Sequence, residues 1–189
     1  MVLSFIFARE IFGTDEILHP PGVLAPESPR QVLIAQGQSW EHKGYRLTPL
    51  ATYKIRARVL GKEKYRFGRE SKLSPFDLAL GWGPMSDQAI VDRLEISQSG
   101  RWYYWQAQIL PLSKQALITS SANTHIVPAK PEIAEALGLV RVGEVITLRG
   151  KLVAIAGRDG WQWRSSLRRD DTGQGACEVF WVEEVELQF

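Results

Sequence analysis

From Tyr53 to Val59 apolar and basic residues alternate without a break, Tyr53, Ile55, Ala57 and Val59 against Lys54, Arg56 and Arg58. A period of two places the apolar set on one side of a strand and the basic set on the other, so this stretch predicts a half-buried β-strand whose basic side faces solvent. The same period returns at Tyr103, Trp105, Ala107 and Ile109, with Trp102 and Tyr104 on the opposite, exposed side. It returns again near the end, where Val179, Trp181, Val185 and Leu187 share one parity and Glu178, Glu184 and Glu186 the other. Between these, VGEVITLRGKLVAI reads as a long strand bent at Gly150, a residue that weakens a regular strand but permits tight curvature.

Helical signals are few. Pro131 suits a first helical position in KPEIAEALGL, and Gly138 is placed to end that helix. Any helix within Pro75 to Leu80 would be short, and Ser86 can cap a second short one with Asp87 in its first turn. Many strands with one or two short helices predict a mainly β domain, a compact antiparallel barrel or sandwich, with an OB-like or SH3-like small barrel as the architecture to try first. Prolines and glycines from Gly13 to Pro29 interrupt any regular element, so residues 1–40 read as an N-terminal arm or partly ordered extension and residues 41–189 as a single strand-rich domain.

The 189 residues are 44% hydrophobic and 23% charged, which excludes wholesale disorder. Net charge is only +2, yet residues 41 to 72 hold ten Lys or Arg against three Glu, a local excess suited to an anionic partner. Cys177 is the single cysteine, which rules out an intrachain disulfide or a thiolate cluster. The apolar run from Val2 to Ala8 is too short to span a bilayer, so no membrane span and a soluble chain are expected. His19, His42 and His125 are dispersed without HExxH or paired-cysteine spacing, giving no expected metal site and no expected cofactor. There is no phosphate-binding GxxxxGK[ST] loop, no GxGxxG element and no GxSxG elbow.

The densest chemistry lies between Trp161 and Trp181, in WQWRSSLRRDDTGQGACEVFW. Arg164 and Arg169 offer forked donors to carboxylate or phosphate, and Asp171 opens a glycine-containing turn. Asp171-Thr172-Gly173 has the letters of an aspartic-protease signature but lacks the second carboxylate lobe such chemistry requires. Cys177 and His125 would form a thiolate and general-base pair if the fold brought them together, with Ser166 or Arg164 assisting. A cysteine between Ala176 and Val179 also has the surroundings of a core thiol. Seven tryptophans are explained first by packing; Trp102, on an exposed parity, is the candidate for stacking.

These features favour a noncatalytic binding or structural domain recognising an anionic ligand, peptide or protein, with Arg56, Arg58, Arg164, Arg169, Asp171 and Trp102 as ligand-binding candidates. The alternatives are a cysteine-dependent hydrolase or transferase using Cys177 and His125, and single-stranded nucleic-acid binding with Lys54, Arg56 and Arg58 tracking phosphates.

In order along the chain, GWGPMSD, SGRWYYW, SSANTHIVPA and WRSSLRRDDTGQGACE resemble the motifs of an uncharacterised bacterial protein family, the likeness covering most of residues 45 to 184. The resemblance implies a bacterial protein and brings no established activity. Members of that appearance carry a membrane-spanning N-terminal segment before an extracytoplasmic domain, which implies a cell-envelope role. It draws attention to GWGPMSD, the His125 segment and residues 164 to 177 as a shared surface.

Overall fold

The computed structural model describes residues 16–168 and 177–187. Among these residues ten strands are present: β1 (Arg30–Leu33), β2 (Trp40–His42), β3 (Tyr45–Lys64), β4 (Phe76–Gly81), β5 (Glu95–Ser99), β6 (Trp102–Gln106), β7 (Ser121–Pro128), β8 (Val145–Ala156), β9 (Gln162–Arg164) and β10 (Glu178–Leu187). Three short helices join them, α1 (Gln88–Val91), α2 (Lys114–Thr119) and α3 (Pro131–Leu139). The domain is mainly β, in a sandwich-like arrangement. β3 pairs with β4, β4 with β7, β7 with β10, β10 with β8, and β8 with β3 again. One of these pairings, β7 with β10, is parallel.

The alternation in β3 explains the core. Tyr53, Ile55, Ala57 and Val59 are all buried, and they meet Leu78 and Leu80 from β4, Ile126 from β7, Leu148 from β8 and Phe180 from β10. β3 runs for 20 residues because it serves different clusters along its length. The irregularity at Pro49/Ala51 shifts its parity, so Leu47 joins a second cluster with Val153, Ile155 and Trp181, while Leu60, on the face opposite Val59, joins a third with Ala79, Met85 and Leu117. An extra residue in a strand reverses which side chains face the core.

The same device corrects the expected parity of the last strand. Val179 and Trp181 face the second cluster, but the irregularity between Val182 and Glu184 turns Val185 and Leu187 toward the first. Gly150 stands opposite this point on β8, where a Cβ would lie 2.0 Å from the Trp181 carbonyl oxygen. The β5–β6 hairpin lays Tyr103 and Trp105 on the third cluster as expected, while Ile109, placed on that face by its parity, lies beyond the strand and is 76% exposed.

Two local expectations change. Residues 76 to 81 form β4, buried at every position, because strand pairing on both sides satisfies a backbone that an isolated Pro75-initiated turn would leave open. Asp87, not Ser86, caps α1, accepting from the Ala89 amide at 2.9 Å. Ser86 instead holds the chain upstream, its Oγ accepting the Leu24 and Ala25 amides at 3.1 and 3.0 Å. The Gly83 amide returns a bond to the Ala25 carbonyl at 2.7 Å, so the GWGPMSD motif fastens the segment around Ala25 to the domain. α3 begins at Pro131 as expected and runs through Gly138 to Leu139.

Candidate functional site

On β4, Phe76, Leu78 and Leu80 enter the first cluster, which turns Asp77 to the other face of the sheet. Its neighbour across the β4–β7 pairing is His125. Asp77 is fully buried; its Oδ1 lies 2.7 Å from Arg101 Nη1 and 3.0 Å from His125 Nδ1. Despite that approach, Asp77 Oδ2 and His125 Nδ1 make no hydrogen bond among the described residues.

Arg101 is delivered by the β5–β6 turn, where Gly100 and Arg101 have φ of 59° and 73°. A two-residue turn of this hand needs both central residues left-handed, a strained choice for arginine. The guanidinium folds back over the Tyr65 ring at 3.8 Å, and Nη2 donates to the Ser74 carbonyl at 3.0 Å. Tyr65 Oη accepts the Arg101 amide at 3.0 Å, and burial, reinforced by Asp77, pushes the Tyr65 phenol upward in pKa. The Arg101 carbonyl accepts from Asn123 Nδ2 at 3.0 Å, and Trp163 closes the cluster with its ring 4.8 Å from His125.

Cys177 sits beside this network. Glu178 pairs with Thr124 in the parallel β7–β10 ladder, so Cys177 is level with Asn123, one pleat step from His125. Its Sγ, half-buried, lies 3.9 Å from Asn123 Nδ2 and 4.0 Å from the Arg101 carbonyl. Among the described residues no hydrogen bond joins the thiol to the imidazole. Ser166 is buried, and its amide donates to the Cys177 carbonyl at 3.0 Å; Ser165 Oγ accepts the Val179 amide, also at 3.0 Å. These two serines thus clamp the start of β10.

The remaining candidates are dispersed. Arg58, expected on a solvated strand face, is 1% exposed, with Nη2 donating to Gln88 Oε1 at 2.6 Å; α1 and the segment fastened by Ser86 cover that end of β3. Burial lowers its pKa. Arg58 is therefore withdrawn as a ligand-binding residue. Arg56 is half-buried, donates to the Leu24 carbonyl and lines a cavity of about 340 Å³ with His19, Arg141 and Glu144. Trp102 is half-buried on β6. Arg169 and Asp171 lie outside the described residues.

Arg164 is exposed, and the strand register shows what accompanies it. Across β3, β8 and β9 one row reads Arg46, Ala156, Gln162 and the next Thr48, Ala154, Arg164, with Glu41 of β2 opposite Arg46. The alternate residues Trp40, Leu47, Ile155 and Trp163 point the other way, into the second cluster. The outward face therefore has a floor of Thr48, Ala154 and Ala156 between Arg46 and Arg164. Neither guanidinium has a side-chain partner among the described residues.

Sequence reasoning missed Asp77, Arg101 and Arg46 as site residues. The positively charged stretch is visible in the sequence, but part of it is engaged internally: Lys43 bonds the Lys72 carbonyl, Lys62 the Gly138 and Val140 carbonyls, and Arg69 the Asp159 carboxylate. Among the described residues no group of three or more His, Cys, Asp or Glu is placed to hold a metal ion, and no helix is long and apolar enough to cross a membrane. Comparison with known proteins found no matching family model, no similar curated protein and no similar solved structure.

Proposed function

We propose that the chain is a binding domain that recognises an anionic ligand, an acidic segment of a partner protein, on the outward face of β2, β3, β8 and β9. The observation that carries this is the placement of two arginines without a side-chain partner among the described residues, Arg46 and Arg164, on one sheet face across a floor of small side chains. Two strand spacings and two residues of rise separate their Cα atoms by roughly 12 Å. An extended peptide rises about 3.3 Å per residue, so carboxylates three or four residues apart meet both guanidiniums. Thr48, Ala154 and Ala156 leave the peptide backbone room to approach, and Arg supplies planar forked donors matched to carboxylate. The ring of five strands around one core supports a small-barrel architecture on which such a face would be held rigid.

The test is binding of a fluorescein-labelled poly-glutamate peptide by anisotropy at low salt. Arg46→Gln and Arg164→Gln each weaken binding about tenfold, and added salt weakens it further because exposed charges are screened. Equal affinity in wild type and both variants would discard this face. Single-stranded nucleic acid fits it less well, since Trp40, Tyr45, Trp161 and Trp163 are committed to the opposite, packed side and leave no stacking platform there.

A second reading, thiol-dependent acyl transfer, is favoured by the 3.0 Å approach of Asp77 Oδ1 to His125 Nδ1. In it the Cys177 thiol proton passes to His125 and the thiolate attacks an acyl carbonyl. The proton then goes to the leaving group, and water hydrolyses the thioester to regenerate the thiol. Asp77, buried and 3.0 Å away, would compensate the charge of the imidazolium that forms.

A further inference from the structure

The outward face ends at two adjacent turns. Lys43 and Gly44, with φ of 50° and 82°, join β2 to β3, and residues 157 to 161 join β8 to β9. Between them lies a cavity of about 300 Å³ lined by Glu41, Gly44, Arg46, Ala156, Gly157 and Arg158. Gly44 and Ala156 carry no side chain beyond a Cβ, and nothing lies within 4 Å of where a Cβ on Gly44 would stand, so a small ligand can come close to the backbone there.

The charges around it are already sorted. Asp159, the acid of the second turn, is bound by Arg69 at both carboxylate oxygens, at 2.6 and 2.7 Å. Arg69 is held in place by Tyr45 and Trp161, whose ring centroids lie 5.2 and 4.6 Å from its guanidinium carbon. Asp159 is thereby neutralised. Arg158, exposed, and Arg46 have no side-chain partner among the described residues. Arg46 and Arg158 therefore both line a cavity whose one acid among the described lining residues is Glu41.

We propose that this cavity binds a phosphate group, free or as a monoester, with Arg46 and Arg158 donating from two sides and Glu41 accepting the proton of its monoanionic form. One forked guanidinium saturates a carboxylate; two from different elements suit a tetrahedral group with three free oxygens. Glu41 adds selectivity, because near pH 6 a phosphate monoester is about half protonated whereas sulfate carries no proton to donate. This inference rests on reading the face as anion-binding and names a ligand class for one end of it.

The test is titration of the intact chain with inorganic phosphate at pH 6 and constant ionic strength, followed through the arginine side-chain NMR signals. Saturable shifts of Arg46 and Arg158 are expected, about tenfold weaker binding in Arg46→Gln or Arg158→Gln, and little change in Arg164→Gln. Sulfate should bind several-fold more weakly than phosphate, and Glu41→Gln should abolish that preference. A phosphoserine peptide should compete with inorganic phosphate if the natural source is a monoester, and should be ignored if it is the free ion. Absence of saturation, or phosphate affinity unchanged in both Arg46→Gln and Arg158→Gln, would overturn the inference. If poly-glutamate still bound in an Arg164-dependent manner, only the phosphate cavity would fall; phosphate binding without poly-glutamate binding would reject the wider face instead. Thermal melts of the variants keep loss of binding separate from loss of folding.

Discussion

Arg101 Nη1 lies 2.7 Å from Asp77 Oδ1, joining the tip of the β5–β6 hairpin to a carboxylate that solvent does not reach. Removing one member of such a pair strands the other as a buried charge. Arg101→Ala should therefore cost about 3–5 kcal/mol in chemical denaturation. Replacing both residues with apolar ones of similar size, Asp77→Leu with Arg101→Met, should restore most of that loss. A double variant no more stable than Arg101→Ala would show that the pair's value lies in something other than charge compensation.

The thiol makes a separate prediction. A free cysteine has a pKa of about 8.5, and a nearby imidazolium lowers it. If His125 serves Cys177, the pH midpoint of iodoacetamide alkylation falls below that value and returns toward it in His125→Gln. Asp77→Asn should move it in the same direction. A midpoint at the ordinary value, indifferent to both substitutions, eliminates the thiol-transfer reading.

His42 packs edge-on against Trp181 with ring centroids 4.7 Å apart. Burial first, and the adjacent Lys43 second, hold its pKa below the usual 6.5. The folded state thus takes up this proton less readily than the unfolded chain. Stability from this residue is complete above pH 6.5 and declines as pH falls through and below it. His42→Phe should flatten the pH dependence of unfolding over that range; an unchanged slope would contradict the assignment.

Glycines at two positions should respond in opposite senses. Gly150→Ala drives a Cβ into the Trp181 backbone and disturbs the β8–β10 register, at a cost of about 3 kcal/mol. Gly138→Ala, inside α3 with nothing within 4 Å, should stabilise by about 1 kcal/mol. Thermal or urea denaturation reads both.

The inner face of β3 is legible in the sequence because alternation is a local property: Tyr53, Ile55, Ala57 and Val59 are buried as their spacing demands. What covers the second face is not local, and the burial of Arg58 is hidden for that reason. The parity of β10 is lost at an irregularity that leaves no signature beyond Gly150 on the neighbouring strand. His125 stands out by its polar surroundings, but its neighbour Asp77 lies in a segment that reads at most as a short helix until β7 pairs with it. Arg164 is legible as a forked donor. Its companion Arg46 emerges only when β3, β8 and β9 are set in register, since sequence distance hides what a sheet row brings together.

The most direct measurement of the central claim is poly-glutamate binding by the double variant Arg46→Gln/Arg164→Gln, compared with wild type at low salt. An anion-recognition face built on these two side chains predicts that binding drops at least about tenfold while the melting temperature stays unchanged. Undiminished binding by a folded double variant would contradict it.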